Sequence, residues 1–245
     1  MSPRTTLAVA GRVLIQLRRD HRTVGMLIVV PCVLLTLLWW MFDGNEVVFS
    51  RLGPPLLALF PFIVMFLVTS VTTLRERSSG TLERLLTTPM NKADLLVGYA
   101  LAFGLVALVQ AVVAVGLCIG LLGLDVQGEV WVLGLVAVLN AVLGTALGLF
   151  VSAFAETEFQ AVQFMPALVL PQVLLCGLFV SRDALPDVLS AISNVLPLSY
   201  AVDAMQEVQA QPAWTTDLSV DVGVIAGSAL LALAVGAATL RRRTA

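Results

Sequence analysis

The residue types that perform most enzyme chemistry are scarce in this chain and stand apart from one another. Each of the three cysteines, Cys32, Cys118 and Cys176, lies in an apolar run with no Cys or His at ligand spacing. We therefore expect buried structural thiols rather than a disulfide framework or a metal site. The single histidine, His21, lies in a basic cluster, which favours an interfacial polar group over zinc or triad chemistry.

Motifs for nucleotide binding and hydrolysis are missing from the sequence. The only lysine, Lys92, lies in MNKAD and not in a G-x-x-x-x-G-K-[ST] loop, so the chain has no phosphate-binding loop of its own. The sequence contains neither G-x-S-x-G nor H-E-x-x-H, and no apolar run carries a pair of carboxylates. We expect no catalytic residue, no metal and no cofactor in this chain.

Four amides lie deep inside apolar runs, and two prolines accompany them. These residues are Gln110, Asn140, Gln163, Gln172, Pro166 and Pro171. No run carries an ionisable residue near its middle, so a bound coupling ion is not expected and energy for uphill transport must enter from outside the membrane. The six residues are candidates for a substrate path towards a dimer interface, because lipid would leave amides unsatisfied. The alternative is that the amides only bond neighbouring helices.

Charge is concentrated in the stretch LRERSSGTLERLLTTPMNKADLL, which holds four of the fourteen basic residues between two long apolar runs. A short helix is predicted over Thr81–Thr88. Thr81 can cap it, Glu83 suits its first turn near the positive end of the dipole, and Pro89 stops it.

One face of this predicted helix is apolar. Leu82, Leu85 and Leu86 follow the i, i+3, i+4 spacing, while Glu83, Arg84 and Thr87 face elsewhere. A helix this short is unstable alone and needs a surface to dock on. The residues leave open whether that surface is a partner protein or the lipid interface.

These residues must be positioned by elements that lie in a bilayer. The chain of 245 residues is 59% hydrophobic and 12% charged, with a mean hydropathy of +0.97. Soluble domains carry about 25% charged residues, and a water-soluble core cannot absorb this much apolar surface. Lipid must therefore be the solvent, and the length suits one transmembrane domain over 1–245.

Six charge-poor runs are long enough to cross a bilayer, which takes about 20 residues. They cover 24–42, 52–74, 95–124, 130–155, 159–180 and 220–240. We expect an all-α integral membrane protein with six transmembrane helices.

The basic residues orient these spans. The alternate loops on one side hold Arg4, Arg12, Arg18, Arg19, Arg22, Arg75, Arg77, Arg84, Lys92, Arg241, Arg242 and Arg243, whereas the other side holds only Arg51 and Arg182. The positive-inside rule assigns the basic side to the cytoplasm. We expect a multi-pass protein of the plasma membrane with both termini cytoplasmic.

Segment 1–23 is predicted to be an amphipathic helix along the cytoplasmic interface. One arc of its helical wheel holds Arg4, Arg12, Arg18, Arg19 and Arg22, and the opposite arc holds Leu7, Val9, Val13, Leu14 and Leu17. Ile15 is the one misplaced residue, and a disordered basic tail is the alternative.

The outer segment 181–219 also has helical spacing. In PDVLSAISNVLPLSY, Pro186 can start a helix and Pro197 can end it. We expect short re-entrant helices that dip into the outer leaflet before the last span, which is tolerated only where protein covers the backbone.

Three G-x-x-x-G patterns begin at Gly116, Gly144 and Gly223. This spacing lets transmembrane helices approach closely, although glycine is frequent in such helices anyway. Each pattern is therefore either a packing site or a chance occurrence.

Two stretches resemble one family. LRERSSGTLERLLTTPMNKADLLVGY is similar to the signature of the type-2 permeases of ATP-binding-cassette (ABC) exporters, an E-R-x-x-G-T-x-E-x-L run that closes at Pro. CGLFVSRDALPDVLSAISNVLPLSYAVDAM is similar to the outer re-entrant helices of the same family. Gln206 departs from the pattern, since relatives often have a basic residue there.

The resemblance implies a transport permease, not an enzyme, with a cytoplasmic coupling helix inside the loop 75–92. The coupling positions would be Glu76, Arg77, Gly80, Thr81, Glu83 and Pro89, with Leu82, Leu85 and Leu86 as the docking stripe. Two separate ABC ATPase subunits would bind ATP and Mg, and a second copy or a sister permease would complete the membrane part.

The implied function is export of a hydrophobic or amphipathic cargo, a drug or a lipid, with membrane lipids and no nucleic acid as partners. Short outer loops make polysaccharide a weaker candidate. A membrane-embedded structural or assembly subunit that moves no cargo is the alternative. Recovery of an ATPase subunit would distinguish the two functions.

Overall fold

The computed structural model describes residues 2–43, 45–79 and 92–239, and this part of the chain contains helices and no strand. Its α-helices are α1 (Pro3–Arg19), α2 (His21–Met41), α3 (Glu46–Ser78), α4 (Lys92–Gly120), α5 (Val130–Ser152), α6 (Glu158–Leu175), α7 (Asp187–Ser193), α8 (Pro197–Ala210) and α9 (Thr216–Thr239). A single 3₁₀ turn, Arg182–Ala184, precedes α7 in the described ranges.

Six of the described helices are long and apolar enough to cross a membrane. They are α2, α3, α4, α5, α6 and α9, which confirms the predicted all-α fold with six spans. Each of these helices overlaps one predicted run, with ends shifted by several residues. The largest extension is in α3, which begins at Glu46 and ends at Ser78. Its polar last turn is held by neighbouring helices.

The centre of the bundle is the contact between α3 and α5. Of the helices that can cross a membrane, α5 has the most buried apolar segment. A Cβ atom on Gly144 would lie 2.3 Å from the Phe62 carbonyl oxygen, and one on Gly148 would lie 2.6 Å from the Phe66 carbonyl oxygen. Hydrogen in place of a side chain is therefore what lets the two backbones meet.

The three G-x-x-x-G patterns differ in whether their glycines lie at a close helix contact. Gly144 and Gly148 form a packing site, as just described. A Cβ atom on either glycine of the other two patterns, 116–120 and 223–227, would meet no atom of the described chain within 4 Å. These glycines do not mediate helix packing within the described part of this chain.

The first helix packs on α4 through a single face. Its buried residues are Thr6, Val9, Ala10, Val13 and Leu17. A Cβ atom on Gly98 of α4 would lie 2.7 Å from Val9 Cβ, so this is another close helix contact. Leu7 and Ile15 are 64% and 57% exposed. Of the predicted apolar arc, Leu7 is thus exposed while Val9, Val13 and Leu17 are buried, and Ile15 is exposed off that arc. The membrane position of α1 stays a prediction.

Asp20 forms the corner between α1 and α2. Its carboxylate accepts a hydrogen bond from the Thr23 hydroxyl at 2.6 Å and another from the Thr23 backbone N–H at 3.2 Å. These bonds favour the charged form and lower the pKa of Asp20. The chain therefore turns into its first span at a capped helix start.

The outer segment forms two short helices that meet at a sharp angle. Helices α7 and α8 are bent by 85° relative to each other. Pro186 is the N-cap of α7, which confirms the helix start predicted there. Pro197 does not end that helix: α7 ends at Ser193, and Pro197 is the first residue of α8. Its fixed φ and missing N–H suit a first helical position.

We predict that Gly144→Ala destabilises the protein by about 1–3 kcal/mol, because the added methyl group would collide with backbone and push α3 away from α5. Gly134→Ala on the same helix is the matched control, since its Cβ atom would meet nothing within 4 Å. Unfolding of the purified variants in detergent provides the comparison. Equal stability of the two variants would contradict the close contact.

Candidate functional site

The predicted coupling positions begin at the end of α3. Glu76 and Arg77 lie in its last turn and are described by the structure. The other predicted coupling residues lie outside the described residues; they are Gly80, Thr81, Leu82, Glu83, Leu85, Leu86 and Pro89. The described part of the candidate site is therefore the two helix ends that flank segment 80–91. They are the last turn of α3 and the first turns of α4.

Glu76 is a buried carboxylate at the end of α3, with 4% of its surface exposed. The Arg12 guanidinium donates a hydrogen bond to Glu76 Oε2 at 2.7 Å, and the Tyr99 hydroxyl donates a short one to the same oxygen. Arg12 also donates to the Tyr99 oxygen at 2.8 Å. We call Arg12, Glu76 and Tyr99 the Glu76 cluster. It joins α1, α3 and α4 through one buried charge pair.

Arg77 binds the end of another helix. Its guanidinium donates to the carbonyl oxygens of Ser152 at 2.7 Å and Ala155 at 3.3 Å. The last carbonyls of a helix have no partner within the helix, and a cation suits the negative end of its dipole. Arg77 thus caps α5 and fastens it to the end of α3.

Two further contacts tie the same region together. Arg75 forms a bidentate pair with Glu158 at the start of α6, at 2.7 and 2.8 Å. Asp94, in the first turn of α4, is 2% exposed and accepts hydrogen bonds from Ser2 N at 3.1 Å and Thr6 Oγ1 at 3.3 Å. The flanks of segment 80–91 are therefore fixed to α1, α5 and α6.

The coupling role predicted for Glu76 and Arg77 stays a prediction, and the sequence did not reveal the polar contacts at these helix ends. Arg12 appeared only as one member of a basic arc, and Tyr99 and Asp94 lie in an otherwise apolar stretch. Asp94 did carry a signal, because an acidic residue just inside an apolar helix is expensive unless it is bonded. Nothing in the spacing of Tyr99 reveals a partner 23 positions earlier in the sequence.

Comparison with known proteins identifies the family. Residues 4–210 match the family model described as ABC-2 type transporter. The chain belongs to the ABC-2 type transporter family. The resemblance carried by the E-R-x-x-G-T-x-E-x-L stretch is thereby confirmed, and this ABC-2 protein is a multi-pass membrane protein.

Several curated relatives are permeases by name. The chain is 24% identical over 154 residues to the "Probable multidrug ABC transporter permease YbhS" of Escherichia coli, which covers 62% of this chain and 41% of the relative. It is 26% identical over 186 residues to the "Linearmycin resistance permease protein LnrN" of Bacillus subtilis, which covers 74% of this chain and 48% of the relative.

A eukaryotic protein also matches. The "ABC transporter G family member 20" of Dictyostelium discoideum is 27% identical over 166 residues, covering 68% of this chain and 23% of the relative. The chain thus spans less than half the length of these curated relatives.

The polar residues predicted for the substrate path of this ABC-2 permease fall into two groups. Gln110 is buried and donates to the Leu27 carbonyl at 2.8 Å, and buried Asn140 donates to the Ala58 carbonyl at 2.9 Å. Both amides therefore bond neighbouring helices, and their place on a substrate path stays a prediction. Gln172 is buried and donates to Leu168 of its own helix.

The remaining path candidates share the exposed side of α6. They are Gln163, Pro166 and Pro171. Large apolar side chains surround them, and Phe159 and Leu174 are 72% and 61% exposed. An exposed apolar helix face with one amide is compatible with a surface turned towards a partner permease, and the path itself stays a prediction.

We predict that Arg12→Met destabilises the permease by about 2–3 kcal/mol, because it leaves a carboxylate with 5% of its side chain exposed without its cation. Arg75→Met is the matched control: both side chains of the Arg75–Glu158 pair are about half exposed, and such pairs contribute about 0–1 kcal/mol. Thermal unfolding in detergent measures both. A loss for Arg12→Met no larger than for Arg75→Met would contradict the role given to the Glu76 cluster.

Proposed function

We propose that this chain is the membrane-spanning permease subunit of an ATP-driven exporter. In this proposal it moves a hydrophobic or amphipathic cargo, a drug or a lipid, out of the cytoplasm or the inner leaflet. A separate ATPase subunit docks on segment 76–89 and supplies the energy. Transport then needs no catalytic residue in the permease.

One observation carries the proposal. The two described residues of the coupling signature, Glu76 and Arg77, are bonded to α1, α4 and α5 and are not free in solvent. A displacement of segment 80–91 would therefore be transmitted to several helices at once through these hydrogen bonds and ion pairs. A surface loop with a purely local role would have no need for such anchors.

The types of polar side chain buried in the described part of the chain also support an energy source outside the membrane. The polar groups buried in the middle of the bundle are amides and hydroxyls, such as Gln110, Asn140 and Thr145. Amides do not take up and release protons, and the buried carboxylate Asp221 lies near the start of α9 and not in the middle of that span. We assign ATP and Mg to the partner ATPase subunits.

The relatives support the class of cargo and the membrane setting. One is named a multidrug permease and another a linearmycin resistance permease, which supports a hydrophobic or amphipathic cargo. We place the permease in the plasma membrane with both termini cytoplasmic and with membrane lipids around it. We expect a second copy of the chain, or a sister permease, to complete the transporter.

We predict that the double variant Leu82→Asp with Leu85→Asp loses its ATPase subunit. Burial of each leucine in a groove of the ATPase would contribute about 1.5–3 kcal/mol. Loss of both should therefore weaken association on the order of 100-fold or more. Co-purification in mild detergent measures association, and cargo-stimulated ATP hydrolysis and transport should fall with it.

Thr87→Asp is the control for this experiment, because Thr87 lies away from the leucine stripe of the predicted helix. It should keep both the ATPase and transport. Since all three positions lie outside the spans, insertion and expression should be unchanged. A double aspartate variant that still binds its ATPase and transports cargo would contradict the docking role, and failure of the unaltered chain to recover any ATPase would favour a structural subunit.

A further inference from the structure

The far end of the bundle from segment 80–91 holds a small pocket that transport coupling does not use. It lies between the start of α5, the end of α8 and the start of α9, and its volume is about 50 Å³. Its charged side chains are both carboxylates, Glu129 and Glu207, beside the amide of Gln211, and its largest side chains are the indoles of Trp131 and Trp214. Acidic groups beside aromatic faces are the usual surroundings of a bound organic cation.

The pocket is built by contacts that fix its walls. Gly128 N donates to the Val208 carbonyl at 2.9 Å, and Gln127 N donates to the Gln209 carbonyl at 3.2 Å. These bonds hold the loop before α5 against the end of α8. A Cβ atom on Gly128 would lie 2.6 Å from the Val208 carbonyl oxygen, so this close approach requires glycine.

The two tryptophans are also held in place. Their rings are stacked with centroids 5.8 Å apart and an interplanar angle of 14°. Trp214 Nε1 donates to Ser219 Oγ at 2.7 Å. Each stacked indole keeps one outer face, and that face attracts a cation electrostatically.

The carboxylates of this region outnumber its basic side chains. The Glu129 side chain makes no capping hydrogen bond to α5, and Glu207 accepts one from the Thr215 hydroxyl. Asp221 lies one turn beyond the pocket residue Leu218 and is 8% exposed, although it does not line the pocket itself. The one arginine nearby, Arg182, already binds Asp203 and Asn194.

An apolar groove begins beside the pocket. It lies between α4 and α5, has a volume of about 510 Å³, and shares Trp131 with the pocket. Aliphatic side chains and two glycines, Gly116 and Gly134, complete its walls. The volume lies within the range of about 300–1,000 Å³ that is typical of ligand sites, and a lining this apolar accepts a hydrocarbon chain rather than a polar ligand.

We propose that pocket and groove together bind a single-chain amphiphile with a primary ammonium head. The head would lie among Glu129, Glu207 and the two indoles, and the alkyl chain would lie in the groove under Trp131. A phospholipid fits less well, because no basic side chain lines either cavity to neutralise its phosphate. The compact pocket also favours an ammonium group over a bulkier head.

This inference rests on the proposed export function only in naming a class of cargo; the binding itself needs neither ATP nor an ATPase. In the orientation we propose, the site lies at the outer face, where a cargo leaves the membrane. A tryptophan-rich edge agrees with this placement, because indoles favour the membrane interface.

Direct binding tests the proposal with the permease alone in nanodiscs of neutral lipid. Phe in place of Trp39 and Trp40 leaves only Trp131 and Trp214 of the four tryptophans as fluorophores. Hexadecylamine carrying a nitroxide on its chain should quench them saturably. Hexadecyl sulfate carrying the same label should not, because its head is repelled by the carboxylates.

Matched variants separate the head from the chain. Glu129→Gln with Glu207→Gln should weaken amine binding about fivefold or more, whereas Asp187→Asn, an exposed acid of α7, should not change it. Gly116→Leu should fill the groove and weaken binding about fourfold or more. Gly223→Leu, a helical glycine with equally open surroundings, should not.

Quenching that never saturates, equal binding of the amine and the sulfate, or unchanged affinity in the double glutamine variant would each overturn the proposed site. None of these outcomes bears on recovery of an ATPase subunit, so failure of the amphiphile site is distinguishable from failure of the exporter proposal.

Discussion

Lipid offers no hydrogen-bond partner, so a polar group that enters this bundle is costly unless it finds a partner on the protein. That constraint explains which helices are close together. Asn140 crosses from α5 to the Ala58 carbonyl of α3, and Gln110 crosses from α4 to the Leu27 carbonyl of α2. The hydrogen bond between Asn140 and Ala58 depends on glycine, because Gly144 and Gly148 let α5 approach the α3 backbone closely.

The same constraint is strongest at the end of α3. A carboxylate as buried as Glu76 needs a cation, and Arg12 of α1 provides it. Arg77 in turn satisfies carbonyls at the end of α5. The signature residues therefore make the first, third, fourth and fifth helices depend on one small region beside segment 80–91. This arrangement supports the proposal that an ATPase subunit acts on the permease at that segment.

The sequence was informative where a physical rule acts locally. Hydropathy located the six spans, since a bilayer demands long apolar helices whatever their neighbours are. The E-R-x-x-G-T-x-E-x-L stretch pointed to the ABC-2 family, and the family match bears this out. The predicted helix start at Pro186 is confirmed, whereas the helix end predicted at Pro197 is wrong, because Pro197 begins α8. A proline can follow the end of one helix or begin the next one. Its spacing in the sequence therefore does not decide which of the two roles Pro197 has.

Partners distant in the chain could not be predicted in this way. The Arg12–Glu76 pair and the contact of Gly98 with Val9 depend on how α1 lies on α4. Three G-x-x-x-G patterns look alike in the sequence, yet only the one at Gly144 is a close contact within the described chain. Helices α2, α4 and α9 each keep one face exposed. The position of that face depends on how all the helices pack together, so it cannot be predicted from any single segment.

The central claim is that energy enters this permease through segment 76–89, and the most direct measurement is site-specific photo-crosslinking in intact cells. A photoreactive amino acid at Leu82 should form an adduct with an ABC ATPase subunit, identified by mass spectrometry. The same amino acid at Val188, an exposed residue of α7, should form none. Absence of an ATPase adduct at Leu82, or an equal adduct at Val188, would contradict the account.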